Sequence, residues 1–205
     1  MKPVSELVDD LMRLTREYAA TYRAIVTEER HAHLVKTGIL KEYTYDTEAI
    51  REPLLEHVGH LPVIATYLHQ YIEHRTDVDL GHVLTILAVH DIGETKVGDV
   101  ITYKKSNSHE DLERAAAREL LPDYLFEHFI EYEQAKTYNA QFAKAVDSLA
   151  PLLYELMLPK VTKERFRLYH FNIDDIIAKK TPHFAWDSVL QELFAYIIGQ
   201  YRGWE

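Results

Sequence analysis

Apolar residues recur at three- and four-residue spacing along most of the chain, a pattern typical of helices with one face against a core. The pattern predicts helices over residues 4–30, 53–74, 79–91, 108–121, 122–133, 135–158, 162–179 and 184–201. No alternation of apolar and polar residues is long enough to predict a strand of useful length. We therefore expect an all-α fold in a single domain that covers residues 1–205.

Proline and glycine indicate where these helices bend or end. Pro62 and Pro151 lie inside predicted helices, so we expect a kink or break near residues 58–61 and a kink at Pro151. The helix over 79–91 is apolar nearly all round, which predicts a buried central helix, and Gly93 is positioned to end it. A loop is expected over residues 95–107.

Composition narrows the classes of function. Of the 205 residues, 47% are hydrophobic and 27% charged, which is ordinary for a folded protein. The net charge of −10 argues against a nucleic-acid polymer as partner. The absence of cysteine excludes disulfides and thiolate metal sites and fits a reducing cytoplasm. No apolar run reaches the roughly 18 residues of a membrane span, and the N-terminus lacks the pattern of a signal peptide. A cytoplasmic protein without a membrane partner is expected.

The strongest candidate chemistry lies at the end of the central helix, at His90-Asp91. A carboxylate that ends a wholly buried helix is costly unless it is paired or bound to a metal. His57 and Asp147 lie on two other predicted helices, and helical bundles often build metal sites from such scattered residues. Two imidazoles and two carboxylates suit Mn, Fe, Co, Ni or Zn better than calcium. We expect one divalent metal ion as cofactor (Mn, Co, Fe, Ni, Zn or Mg). Such an ion activates water and neutralises phosphoryl charge.

Four further residues are candidates for the chemistry around that ion. Glu94 follows His90 by one helical turn and is positioned to transfer protons. Asp99 follows Gly98, which lets the chain turn back, and is a second candidate for proton transfer to the leaving group. Arg51 and Lys104 are weaker candidates for contacts to phosphate.

Each assignment has an alternative without a function. By spacing alone His60 is as good a ligand as His57, and Asp147 is equally consistent with a buried salt bridge or a capping partner. The acidic cluster from Glu127 to Glu133 is expected to be a solvated helix face.

The order of these motifs resembles the HD-domain metal-dependent phosphohydrolase superfamily, and most closely its bacterial 5′-deoxynucleotidase branch. The resemblance covers residues 30–160 and rests on Glu56-His57, His90-Asp91-Ile92-Gly93-Glu94, Gly98-Asp99 and Lys144-Ala145-Val146-Asp147. It implies an HD core with C-terminal helices over about 162–201 packed on it, and a homodimer. It also implies a set of metal ligands comprising His57, His90, Asp91 and Asp147. Glu94 and Asp99 would then serve hydrolysis of a small phosphomonoester, a 5′-(deoxy)nucleoside monophosphate.

The sequence departs from the family that it resembles in two ways that bear on the substrate. The branch carries an Arg-Trp pair before the first ligand, whereas residues 34–50 contain neither, so deoxynucleotide specificity does not carry over. Thr95 replaces a second acid of the guanosine-tetraphosphate hydrolases, which argues against that substrate.

Two other functional interpretations compete with a phosphomonoesterase. A dinuclear HD phosphodiesterase or oxygenase needs extra histidine ligands, for which His109 and His128 are available before Asp147. The other is a non-catalytic HD fold that acts as a ligand sensor.

Overall fold

A computed structural model of the chain describes residues 3–20, 54–98, 106–157 and 159–204. No strand occurs among these residues, which confirms the all-α fold. Their helices, in chain order, are α1 (Val4–Ala20), α2 (Leu54–His69), α3 (Leu80–Val89), α4 (Glu94–Val97), α5 (Asn107–Leu120), α6 (Asp123–Gln134), α7 (Tyr138–Met157), α8 (Pro159–Tyr169), α9 (Ile173–Phe184) and α10 (Ser188–Arg202). Within the described ranges, none of the helices is long and apolar enough to cross a membrane.

Helix α7 lies at the centre of the fold and contacts α1, α2, α3, α6, α8, α9 and α10. Its sequence explains this position, because apolar residues point to several sides. Those at most 1% exposed include Phe142, Ala143, Val146, Leu149, Leu152 and Leu153. Burial of each leucine or phenylalanine contributes roughly 1.5–3 kcal/mol. The helix thereby carries its one aspartate, Asp147, into the interior.

Helices α2 and α3 pack against α7 and against each other. Helix α3 contributes Val83, Ile86 and Leu87, all 0% exposed. Asp79 caps its N-terminus, because its side chain accepts a hydrogen bond from the backbone N–H of His82 at 3.2 Å. Three mutually packed helices can therefore bring side chains from distant parts of the sequence to one point.

The prolines inside α2 and α7 do not end these helices. Both helices continue through Pro62 and Pro151, so a break near residues 58–61 is wrong. A proline inside a helix costs about 3 kcal/mol. Tertiary packing offsets that cost, since the neighbouring Leu61 and Leu152 are 0% and 1% exposed.

The predicted helix over 162–179 is instead two helices, α8 and α9. His170 adopts the left-handed conformation (φ 57°) between them, which a continuous helix does not allow. Asn172 then caps α9. Its side chain accepts from the backbone N–H of Asp175, and the Asp175 carboxylate accepts from the N–H of Asn172. This capping box is a sequence signal for the start of a helix at residue 173, and we missed it because we relied on the spacing of apolar residues.

The turn after α3 also differs from expectation. Helix α3 ends at Val89, and a short helix, α4, occupies part of the predicted loop over 95–107. Gly93 has a right-handed conformation (φ −60°), so it does not end a helix as predicted. A Cβ on Gly93 would lie 2.3 Å from the carbonyl oxygen of Glu113 in α5. The glycine is therefore required for close packing of the two segments.

Candidate metal centre

Four predicted metal ligands converge in the core from three helical regions. His57 lies in the first turn of α2, His90 and Asp91 directly follow α3, and Asp147 lies in the middle of α7. Nε2 of His57 is 3.1 Å from Oδ1 of Asp147 and 3.5 Å from Oδ2 of Asp91. Nε2 of His90 is 3.0 Å from Oδ2 of Asp91 and 3.6 Å from Oδ1 of Asp147. The fold thus joins residues up to 90 positions apart.

The spacing of these atoms suits a metal ion. Ligand atoms bound at about 2.1 Å lie roughly 3.0 Å apart in an octahedral set and roughly 3.4 Å apart in a tetrahedral one. The four nitrogen–oxygen distances range from 3.0 to 3.6 Å. Nitrogen and carboxylate donors of this kind are typical of first-row transition metals.

His90 itself is prepared to be a ligand. Its Nδ1–H donates to the backbone carbonyl of Leu87 at 2.9 Å. Because a carbonyl can only accept, this contact puts a proton on Nδ1 and leaves Nε2 available to bind a metal. Nε2 is buried, and although it lies 3.0 Å from Oδ2 of Asp91, the contact lacks the alignment of a hydrogen bond. Buried polar atoms are rarely left in this way, and a metal ion would satisfy this one.

Electrostatics also favours a cation between these side chains. Burial lowers the pKa of His90, but the carboxylates of Asp91 and Asp147 outweigh it and raise this pKa to about 10. Burial also lowers the pKa of His57, but the carboxylates of Asp147 and Asp91 outweigh burial, so this pKa is raised. Burial favours the neutral form of Asp147, but His57 and His90 hold its pKa well below the usual range. The site therefore attracts positive charge, which a divalent ion would supply in place of the histidine protons.

Tyr132 on α6 is a site residue that the sequence analysis missed. Its hydroxyl donates to Oδ2 of Asp147 at 2.7 Å, which leaves Oδ1 facing the histidines. Its ring lies 4.8 Å from that of His90. Burial and the charges of Asp147, Asp91 and Glu94 raise the pKa of Tyr132 well above its ordinary value, so the phenol stays a donor. Tyr132 thus orients a proposed ligand.

Lys144 adds a positive charge beside this tyrosine. Its Nζ lies 4.0 Å from the centroid of the Tyr132 ring, a cation–π contact. Lys144 belongs to the motif Lys144-Ala145-Val146-Asp147, so a signal for it was present in the sequence. Tyr132 gave none, because it lies in the acidic stretch that we expected to be solvated.

The structure distinguishes His57 from His60, which spacing alone could not. His57 faces the carboxylates, whereas His60, one turn later on α2, is 7% exposed with its ring edge-on to Tyr154 at 5.3 Å. Burial and the positive charge of His57 lower the pKa of His60 to about 4. His60 is therefore a neutral core histidine.

Of the other four predicted site residues, Glu94 lies within the part of the chain that the structure describes, and the other three do not. Glu94 is the first residue of α4 and is partly buried. Its charge is one of those that raise the pKa of Tyr132, whose ring lies beside that of His90. Asp99, Arg51 and Lys104 lie outside the described residues.

Comparisons with known proteins show what the whole chain is similar to. The profile of a family described as HD domain matches residues 32–185, about three quarters of the chain. One similar solved structure is that of a predicted metal-dependent phosphohydrolase from Magnetospirillum magnetotacticum. The two are 25% identical and superpose with a TM-score of 0.65, over 85% of this chain and 95% of the other. No curated protein matches the sequence significantly.

Proposed function

The chain belongs to the HD-domain family, and from that membership we propose that it is a metal-dependent phosphohydrolase acting on a small phosphomonoester. A 5′-(deoxy)nucleoside monophosphate is the first candidate substrate, on the strength of the sequence resemblance. The proposal rests chiefly on four nitrogen–oxygen distances of 3.0–3.6 Å between two histidines and two aspartates, with the donor atoms of His57, His90 and Asp147 all within 4.8 Å of one another. The similarity to a predicted phosphohydrolase supports the class of reaction.

In this proposal His57, His90, Asp91 and Asp147 hold one divalent ion. The chemistry that such an ion supplies is activation of water and neutralisation of phosphoryl charge. The side chain of His90 is 0% exposed, and that of Asp147 is 27% exposed. The site is therefore closed behind the histidine and open beside the aspartate, which is where we propose that substrate enters.

Glu94 is the proposed acid and base. It follows His90 by four residues, and its side chain is only partly buried, so water can reach it. A carboxylate there can take a proton from the attacking water or give one to the leaving oxygen. Asp99, five residues later, remains the second candidate for the leaving-group proton.

The substrate phosphate also needs positive charge, because three carboxylates surround the site. Arg51 and Lys104 remain the candidates from the sequence. To these we add Lys144, whose ammonium lies over the Tyr132 ring at the edge of the site. A lysine there can approach a phosphate as a compact point charge.

The dinuclear reading finds no support in the described residues. A second metal ion beside the first would need further histidine ligands, and His109 and His128 were the candidates. His128 lies instead beside His82, with ring centroids 4.5 Å apart, and His109 lies 3.9 Å from Glu113 of its own helix. We therefore propose a mononuclear centre.

Restoring metal ions to the chelator-treated protein tests this proposal. Mn, Co, Fe(II), Ni, Zn and Mg would be added separately, and phosphate release followed over ribo- and deoxynucleoside monophosphates, sugar phosphates and an aryl phosphate. We expect metal-dependent release. Asp91→Asn should lose the ion and at least about 10³-fold in rate, because a divalent ion contributes several kcal/mol to the transition state.

Two results would contradict the proposal in different ways. Bound metal with no phosphate release from any monoester would exclude phosphomonoesterase activity and favour a diester substrate or a sensor. Failure to bind any of the six metals would exclude the metal centre itself.

A further inference from the structure

We propose that the chain holds a second divalent transition-metal ion, at a site formed by His82, His128 and Glu131 and separate from the centre proposed above. His82 lies on α3, and the other two lie one turn apart on α6. One donor atom from each side chain lies within 4.8 Å of the other two. This inference does not depend on the proposed reaction.

The donor atoms already face one another. Nε2 of His82 lies 2.6 Å from Oε2 of Glu131, and Nδ1 of His128 lies 3.8 Å from the same oxygen. The two imidazole rings meet edge to face, with centroids 4.5 Å apart. Ligands of a tetrahedral zinc ion lie roughly 3.4 Å apart, so small side-chain rotations suffice to bind one.

A hydrogen bond to its other oxygen also orients the Glu131 carboxylate. The hydroxyl of Thr137 donates to its Oε1 and accepts from the backbone N–H of Ala140 at 3.1 Å. Oε1 is therefore engaged at the start of α7, while Oε2 points toward the two histidines. Such support of a ligand carboxylate by an outer hydrogen bond is characteristic of metal sites.

The surroundings suit an exchangeable ion with water as a further ligand. The side chains of His82, His128 and Glu131 are 33%, 22% and 21% exposed. Three protein ligands leave a tetrahedral ion one open position, and partial exposure provides a path of entry. Two imidazoles and one carboxylate favour Zn²⁺, Ni²⁺ or Cu²⁺ over Mg²⁺ or Ca²⁺.

The second site is too far from the first to form a dinuclear centre. His82 precedes His90 by eight residues, which is about 12 Å along a helix. Paired catalytic metals lie only about 3.5–4 Å apart. An ion at the second site would instead bridge α3 and α6 next to Tyr132, the residue that orients Asp147. We expect it to stabilise the fold rather than take part in the reaction.

Zinc stoichiometry tests the proposal without any activity assay. Chelator-treated protein would be dialysed against Zn²⁺ and its metal content measured by mass spectrometry. We expect two ions per chain in the wild type, one in Asp91→Asn, one in His82→Gln and none in the double variant. In the Asp91→Asn background, Zn²⁺ at 100 times its Kd should raise Tm by roughly 5–10 °C, and His82→Gln should abolish this rise.

Two controls decide whether a second ion belongs to this cluster. Glu131→Gln keeps the shape and hydrogen-bonding capacity of the side chain but removes its charge, so it should lose the same ion as His82→Gln. His170→Asn alters an exposed histidine outside the cluster and should retain both ions. A wild-type metal content that stays unchanged in both His82→Gln and Glu131→Gln would overturn the proposal, whatever the number of ions that the wild type binds. Loss of the second ion in His170→Asn would also overturn it.

Discussion

Two clusters of histidine and carboxylate lie about two turns apart along α3, and they differ in burial and in number of donors. The cluster at His90 is closed on one side by the core and gathers four donor atoms from three regions of the chain. The cluster at His82 is partly exposed and gathers three donor atoms from two helices. Burial makes charge in the first cluster costly unless a cation is bound, whereas water can solvate the second.

Function should follow the same difference. Among the described residues, Glu94 gives the first cluster a partly buried carboxylate outside the proposed ligand set. The second cluster has its one carboxylate engaged with both histidines and Thr137. We expect similar donor atoms to support catalysis where a further proton-transfer group accompanies them. Where that group is missing, we expect the donors to join two helices.

Of the substitutions that test this comparison, Glu94→Gln should have the largest effect on activity. The substitution removes a proton-transfer group without touching any proposed ligand, so we expect the metal content to stay unchanged and kcat to fall by about 10²–10⁴-fold. Metal analysis and phosphate release on the same samples provide the measurement. Normal turnover in Glu94→Gln would show that Glu94 does not have its assigned role.

Tyr132→Phe should have a smaller effect, confined to the first cluster. It keeps the ring against His90 and removes only the hydrogen bond to Asp147. Loss of an outer hydrogen bond to a ligand lowers metal affinity or activity by about 10–100-fold. Titration of the apoprotein with Zn²⁺ should show weaker binding at the first site and unchanged binding at the second. Unchanged affinity and rate would mean that Tyr132 does not orient Asp147.

A still smaller effect is expected from His183, a partly buried histidine that contacts Ser148 next to Asp147. Burial and the charges of Lys144 and Lys180 lower its pKa to about 4, and its Nδ1 lies 2.6 Å from the hydroxyl of Ser148. The folded state therefore keeps His183 neutral, while the unfolded chain binds a proton below its ordinary pKa of 6.5. The contribution to stability is complete above pH 6.5 and is lost as the pH falls toward 4.

Unfolding free energies at pH 7 and pH 4.5 measure this contribution. Between these values, His183→Gln should lose about 1–2 kcal/mol less stability than the wild type. Both proteins would be measured in the same metal state, so that proton uptake by the first cluster is common to both and cancels in the comparison. Equal losses in the two proteins would contradict the lowered pKa of His183.

Local sequence signals predicted the helices well and the chemistry in part. Spacing of apolar residues depends only on the period of the helix, so α3, α6, α7 and α10 were found within a few residues. The interruption at His170 was missed, because one left-handed residue does not disturb that spacing. Gly93 was predicted to end a helix, but what requires a glycine there is close packing against Glu113, a contact between separate segments.

The candidate site shows the same division. His90-Asp91 could be recognised because a carboxylate at the end of a buried helix is unusual within one local stretch. Tyr132 could not be recognised, since its role depends on which face of α6 meets α7. Glu131 belonged to a stretch that we expected to be solvated, yet it is partly buried against His82, 49 positions away. Nothing in the local sequence links these two residues.

The sequence by itself determined that the chain forms amphipathic helices around an apolar centre and carries an ordered set of potential metal ligands, because both properties are encoded by residue type and short-range spacing. Only the tertiary structure decided that His57 rather than His60 meets Asp147, that Tyr132 holds that aspartate, and that His82 lies against Glu131. The physical reason is that these contacts depend on the rotation and position of one helix against another. Those are fixed by packing of the whole core and not by any single stretch of the chain.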